Sequence, residues 1–188
     1  MSIPDFQTLM RPLLDLHRDQ KEHVNRDLVN ALAQQFSLTE DERREMLPSG
    51  RAKMFDNRVG WAKTYIANAG LIGAPRRGIS TITKRGMDFL SEHEGRITLK
   101  VLAGLSGNKP LRERKRISTV EADVSGEEML DSTETPEEAF ENAYLKIRAD
   151  VERKIIQKIL ANPPEFLERV IIDLVVKMGY GGNRKDAG

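Results

Sequence analysis

The apolar positions of this chain fall into several helical periods broken by turn residues, with one short interval of alternation between them. In residues 4–16, Phe6, Leu9, Met10, Leu13, Leu14 and Leu16 recur at steps of three and four and predict a helix. Pro12 is expected near a kink or boundary of it, because its ring blocks one backbone hydrogen bond. Leu28, Val29, Leu32, Ala33 and Phe36 predict a second helix opened by Asn25 as N-cap. Thr39 followed three residues later by Glu42 has capping-box spacing and predicts a short helix to Met46 or Leu47, stopped by Pro48, Ser49 and Gly50. Phe55, Val59, Ala62, Ile66 and Ala69 then lie on one face of a longer helix, with Gly70 as its C-cap.

The period now changes from helical to alternating. Leu71 and Ile72 predict a short strand, residues 74–78 a turn, and residues 79–83 a returning strand. Thr83 is placed to cap a further helix through His93. After Gly95 the pattern weakens: residues 97–105 suit a helix or a strand, and residues 106–136 carry few large apolar side chains and read as an exposed, partly disordered linker. Helical periodicity resumes over residues 137–160, is interrupted at Asn162-Pro163-Pro164, and returns over residues 166–178. These two helices have nothing in the chain to cover them. The pattern predicts a mainly α fold with a small β-wing: a winged helix-turn-helix domain over residues 1–95, a charged linker over 96–136, and a helical segment over 137–188.

Charge sharpens this picture. The 188 residues hold 30 Lys+Arg and 29 Asp+Glu, a formal net charge of +1 that by itself predicts no partner. The charges are segregated, however. From Arg51 to Arg85 eight basic residues face the single acid Asp56, whereas residues 119–144 carry nine acids and no Lys or Arg. Such asymmetry suggests a basic binding surface and an acidic tether. The absence of cysteine removes disulfides and thiolate metal sites, which suits a reducing cytosol. No apolar run reaches the roughly 20 residues of a membrane span, and the N-terminus lacks a basic and apolar leader. A cytoplasmic, soluble protein without a membrane partner is expected.

A helix followed by an arginine-bearing ribbon is the arrangement by which a winged helix meets the phosphates of double-stranded DNA. The candidate DNA-binding residues are therefore Arg51, Lys53, Asn57, Arg58, Lys63, Thr64 and Asn68 on and before the long helix, with Arg76, Arg77, Lys84 and Arg85 on and after the ribbon. Arg58 and Lys63 suit phosphates or base edges, and an ordinary solvated helix face accounts for each about equally well. Arg76 and Arg77 are the stronger pair, because turn tips project and phosphate contacts tolerate loose geometry. Asn57 and Asn68 have the chemistry to read adenine, although asparagine near a helix end more often serves as a cap. Gly60, in mid-helix, suits close approach of DNA or, more commonly, of a neighbouring helix. Trp61 and Tyr65 read as partly buried packing residues rather than base-stacking platforms. His17, His23 and His93 are scattered without partners, so no metal site is expected.

Two blocks resemble the Mrr-type restriction endonucleases. IPDFQTLMRPLL, LTEDERREMLPSGR and FDNRVGWAKTYIANAGLIGAPRRGISTITKRG look like the N-terminal, DNA-recognising winged helix of that family. PPEFLERVIIDLVVKMGYGG looks like the first helix of its nuclease domain. The resemblance implies targeting of duplex DNA, modified DNA in particular. It also implies, for a complete nuclease, a Mg2+ ion held by an Asp shortly after Gly-Tyr and by a Glu or Gln two residues before a Lys on the next strand. Asp186 lies near the first of these places, and Glu168 matches the helix glutamate of the family. Glu152-Arg153-Lys154 fits Glu-x-Lys only literally, inside a predicted helix. No complete catalytic site and no resident cofactor are expected in these residues. The expectation is a DNA-binding module of a restriction system, with an incomplete restriction-endonuclease-like α/β domain in residues 137–188. The alternatives are the N-terminal part of an active metal-dependent endonuclease, and a winged helix used for protein contact with homo-oligomerisation through residues 137–178.

Overall fold

A computed structural model describes residues 3–105 and 132–180. Most of the expected linker, residues 106–131, and Asp186 lie outside the described residues. The chain divides into two compact units between Ala139 and Phe140.

The first unit is built on a pair of packed helices, α1 (Phe6–Leu16) and α4 (Met54–Asn68). Asp5 caps α1 by accepting a hydrogen bond from the Thr8 amide at 2.9 Å. Pro12 marks no boundary of α1, which continues past it to Leu16. Phe6, Leu9, Met10, Leu13 and Leu14 are all buried, and a stripe of that size outweighs the one hydrogen bond that proline removes. Between the pair lie α2 (Asn25–Gln35), whose N-cap is Val24 with Asn25 as its first residue, and the short α3 (Glu40–Arg44). The Thr39–Glu42 capping box forms in full. The helix stops before Met46 because Met46 pairs with Lys53 in an isolated β-bridge instead. Helix α4 ends in a Schellman motif: Gly70 sits at φ +76°, its amide donates to Ala67, and the Leu71 amide donates to Ile66.

A small antiparallel sheet follows. Strand β2 (Ile72–Gly73) and strand β3 (Ile79–Ile82) form the expected hairpin, with Ile72 opposite Ile82. A third strand, β1 (His23–Val24), pairs with the other edge of β3 and places His23 opposite Ser80. The sheet order is β1-β3-β2. Two residues carry no alternation to read, so β1 is invisible in the sequence pattern. Its partner strand β3 is pinned by His17, the C-cap of α1: Nδ1 donates to the Leu13 carbonyl at 2.8 Å and Nε2 accepts from the Ser80 hydroxyl at 2.9 Å. Both side chains are fully buried.

Thr83 caps α5 (Lys84–Glu92). Residues 97–105 supply a helix, α6 (Leu99–Leu105). Packing continues past residue 95, for Ile97 and Leu102 join the buried core. Gln7, itself buried, receives the Leu99 amide at 3.0 Å and donates to the Ser132 carbonyl at 2.6 Å. Residues 132–139 therefore lie against the first unit as a strap. The architecture is mostly helical with a small three-stranded antiparallel sheet.

Helix α7 (Pro136–Leu160) begins in the strap and makes up the second unit from Phe140 on, together with α8 (Pro164–Lys177), opened by Pro164 in its first turn. Phe140, Tyr144, Ile147, Val151, Ile155 and Leu160 of α7 are exposed, as are Ile171, Leu174 and Val175 of α8. No described helix is long and apolar enough to cross a membrane.

Candidate nucleic-acid interface

Helix α4 uses its circumference in three ways. Phe55, Val59, Ala62 and Ile66 face the core. Rotating about 100° per residue, Lys53, Asp56, Gly60 and Lys63 fall on a second side. With Asn25, Arg26, Leu28, Val29, Asn30 and Arg43 they line an open groove of about 500 Å³ between α4 and α2. Arg26, Arg43, Lys53 and Lys63 confront a single acid there, Asp56. Lys63 donates to the Asn25 side chain, and burial pushes its ammonium pKa down. Arg43 donates to Asn30 at 2.6 Å. The groove is thus a preformed concavity with donors on both walls.

The third side of α4 meets the strap. Arg58 donates to the carbonyls of Ile3 and Pro4, and pairs with Glu138 at 2.8 Å, both side chains being largely enclosed. Asn57 accepts from the Thr135 hydroxyl at 2.8 Å, and Trp61 donates to Glu137. Trp61 is partly buried against the core and tilted on Tyr65, 5.7 Å between ring centres. Burial, with the Glu137 charge added, raises the Tyr65 phenol pKa. Thr135 and Glu138 form a reciprocal capping box that holds the strap in shape. Arg58 and Asn57 are consequently occupied by the chain itself.

The remaining candidates are spread over the surface. Lys53 is the N-cap residue of α4 and Arg51 lies in the exposed turn before it; Thr64 and Asn68 are exposed on the outer side, the Thr64 hydroxyl donating to the Gly60 carbonyl at 2.9 Å. Arg76 and Arg77 project at the hairpin tip, where Gly78 takes φ +80° and its carbonyl accepts from the Asn25 amide at 3.0 Å. That bond ties the tip to the start of α2. Arg76 pairs with Glu22 at 2.7 Å, whereas Arg77 has no ion pair among the described residues. Lys84 and Arg85 follow the opposite end of the hairpin, and Arg85 donates to the Leu105 carbonyl. Lys53 and Lys63 are therefore gathered with Arg26 and Arg43, which went unread in the sequence because they lie outside the basic interval 51–85. Arg26 lies on α2 and Arg43 on α3, so no local sequence signal joined them to Lys53 and Lys63.

Among the described residues no group of three or more His, Cys, Asp or Glu is placed to hold a metal ion. Glu152 and Glu168 do not form such a set, so no metal-dependent step is derived from them.

Residues 6–92 match the family model of the Mrr N-terminal domain. Over these residues the first unit is similar to the Mrr N-terminal domain. Along 99% of its length the chain is 27% identical, over 192 residues, to the type IV methyl-directed restriction enzyme EcoKMrr of Escherichia coli (strain K12), and it spans 62% of that relative's length. No solved structure gives a significant match. The match to the Mrr N-terminal domain embraces α1 through α5, the sheet and both walls of the groove, but not the strap.

Proposed function

We propose that this chain is the targeting module of an Mrr-like restriction system, a winged helix that binds duplex DNA through α4 as recognition helix and the β2–β3 hairpin as wing. The observation that supports this most is the joining of the two features by structure. Lys53 and Lys63 share a groove with Arg26 and Arg43, and the Asn25–Gly78 bond ties the groove's wall to the hairpin tip that bears Arg76 and Arg77. The similarity to a methyl-directed restriction enzyme supports modified duplex DNA as the target and the cytoplasm as the place of action. The test is a mobility shift on methylated and unmethylated duplexes across a salt series. Affinity should fall steeply with salt as cations are released from the phosphates and should favour the methylated probe. Absence of salt-sensitive binding would dismiss the reading.

A second reading is favoured by the greater length of the relative: that these residues are the N-terminal part of a metal-dependent endonuclease. Cleavage of the same probes with Mg2+, by the product of the whole coding frame, decides between them. The exposed apolar side of α7 further suggests a second copy of the chain as a partner through residues 137–178.

A further inference from the structure

Gly60 stands in the middle of the 15-residue helix α4, where glycine is a poor choice compared with alanine. Two structural reasons for a helical glycine are absent. Its φ is not positive, and a Cβ built on it would meet no atom within 4 Å. Gly86 shows the contrast: a Cβ there would lie 2.1 Å from the Leu71 carbonyl oxygen and 2.8 Å from Ile82, so packing demands glycine. Nothing among the described residues makes the same demand of Gly60. It does line the α2–α4 groove, between Lys53 and Lys63 on its own helix and facing the wall that carries Arg26 and Arg43.

We propose that Gly60 is the point at which a DNA strand comes closest to the protein, and that the α2–α4 groove seats the sugar–phosphate backbone of that strand. The cations of both walls would face the phosphates, and the missing side chain leaves room for sugar and phosphate oxygens against the helix. Asp56 is the one unfavourable charge and lies one turn before Gly60. The proposal rests on the DNA-binding reading above but does not follow from it, since a duplex held by the hairpin and the outer residues Thr64 and Asn68 would leave Gly60 untouched.

The experiment compares the full chain with Gly60→Ala and, as a control, Gly104→Ala. Gly104 is also an exposed helical glycine with open space around it, on α6 and outside the groove. Both substitutions should raise the melting temperature by about 2–4 °C, the shift that a better helix former brings to a chain of this size. Only Gly60→Ala should weaken binding of a short duplex, by about tenfold. A more stable Gly60→Ala protein that binds DNA as well as the parent overturns the proposal while leaving the DNA-binding reading intact. A destabilised Gly60→Ala protein overturns it as well, by showing a packing role. If the parent chain shows no salt-sensitive duplex binding, both readings fall together.

Discussion

At the scale of single residues, one methyl group or one charge separates positions that look alike in the sequence. Gly86→Ala forces a Cβ onto a backbone carbonyl, and overpacking of that kind costs about 1–3 kcal/mol; a lower urea midpoint with unchanged slope is expected, and an unchanged midpoint would contradict the packing argument. Arg58 and Glu138 supply the second case. With side-chain exposures of 17% and 6%, the pair is enclosed enough that removing one partner strands the other. Glu138→Ala should therefore cost about 3 kcal/mol. The double variant Arg58→Met with Glu138→Met should cost clearly less, because no charge is left unpaired. Equal losses for the single and double variants would show that the pair matters through shape alone. On duplex binding, Arg76→Ala with Arg77→Ala should weaken affinity for all sequences alike, as phosphate contacts carry no base information; a loss confined to one sequence would speak against wing-to-phosphate contact.

At the scale of elements, what was legible from the sequence depended on how local the cause was. The helices with full apolar stripes, the Thr39–Glu42 box, the Gly70 terminus and the Thr83 cap follow from residues within one or two turns of each other, and each forms as read. Three of the misreadings have a nonlocal cause. Strand β1 exists because β3 lies beside it, 57 residues away in the His23–Ser80 pair. Arg58 looked like a surface cation, but its partner lies 80 residues on, within a stretch that reads as an acidic tether. Arg26 and Arg43 join Lys53 and Lys63 only when α2, α3 and α4 are assembled. The His17–Ser80 pin is of the same kind and makes stability depend on pH. Burial holds the His17 pKa below its ordinary value. The Leu13 carbonyl opposes that shift, His23 and Lys63 add to it, and Asp19 opposes it again. The unfolded chain therefore takes up a proton below about pH 6.5 where the folded chain does not, so stability rises with pH through this window. It is complete above about 6.5 and is lost as the pH falls from there toward the folded value. Urea midpoints should drop between pH 7.5 and 5.5, and His17→Gln should be less stable at pH 7.5 with that drop reduced. A flat parent profile would remove His17 as the cause. Asp5, Asp19 and Glu42, all with lowered pKa, lose their contributions in a separate window, below about pH 4.

At the scale of the whole molecule, the first unit satisfies itself and the second does not. Among the described residues of the first unit, every buried side-chain nitrogen and oxygen has a hydrogen-bond partner, and its core is closed. In the second, Phe140, Tyr144, Ile147, Val151 and Ile155 of α7 recur at steps of three and four along an exposed side. The charged residues beside them pair within the helix, Arg148 with Glu152 at 2.9 Å and Lys154 with Asp150 at 2.7 Å. A side that is apolar along its centre, with internally neutralised flanks, can meet a copy of itself without bringing like charges together. Sedimentation equilibrium should accordingly show a dimer at micromolar concentrations, and Ile147→Asp with Val151→Asp should shift it to monomer. Trp61, the sole tryptophan, sits in the first unit and reports through its fluorescence whether that unit remains folded. If the dimer also brings two DNA-binding units onto one duplex, the monomeric variant should lose affinity for long probes more than for short ones. A parent chain that stays monomeric across the concentration range would rule out self-association through α7 and leave its apolar side to a different protein surface.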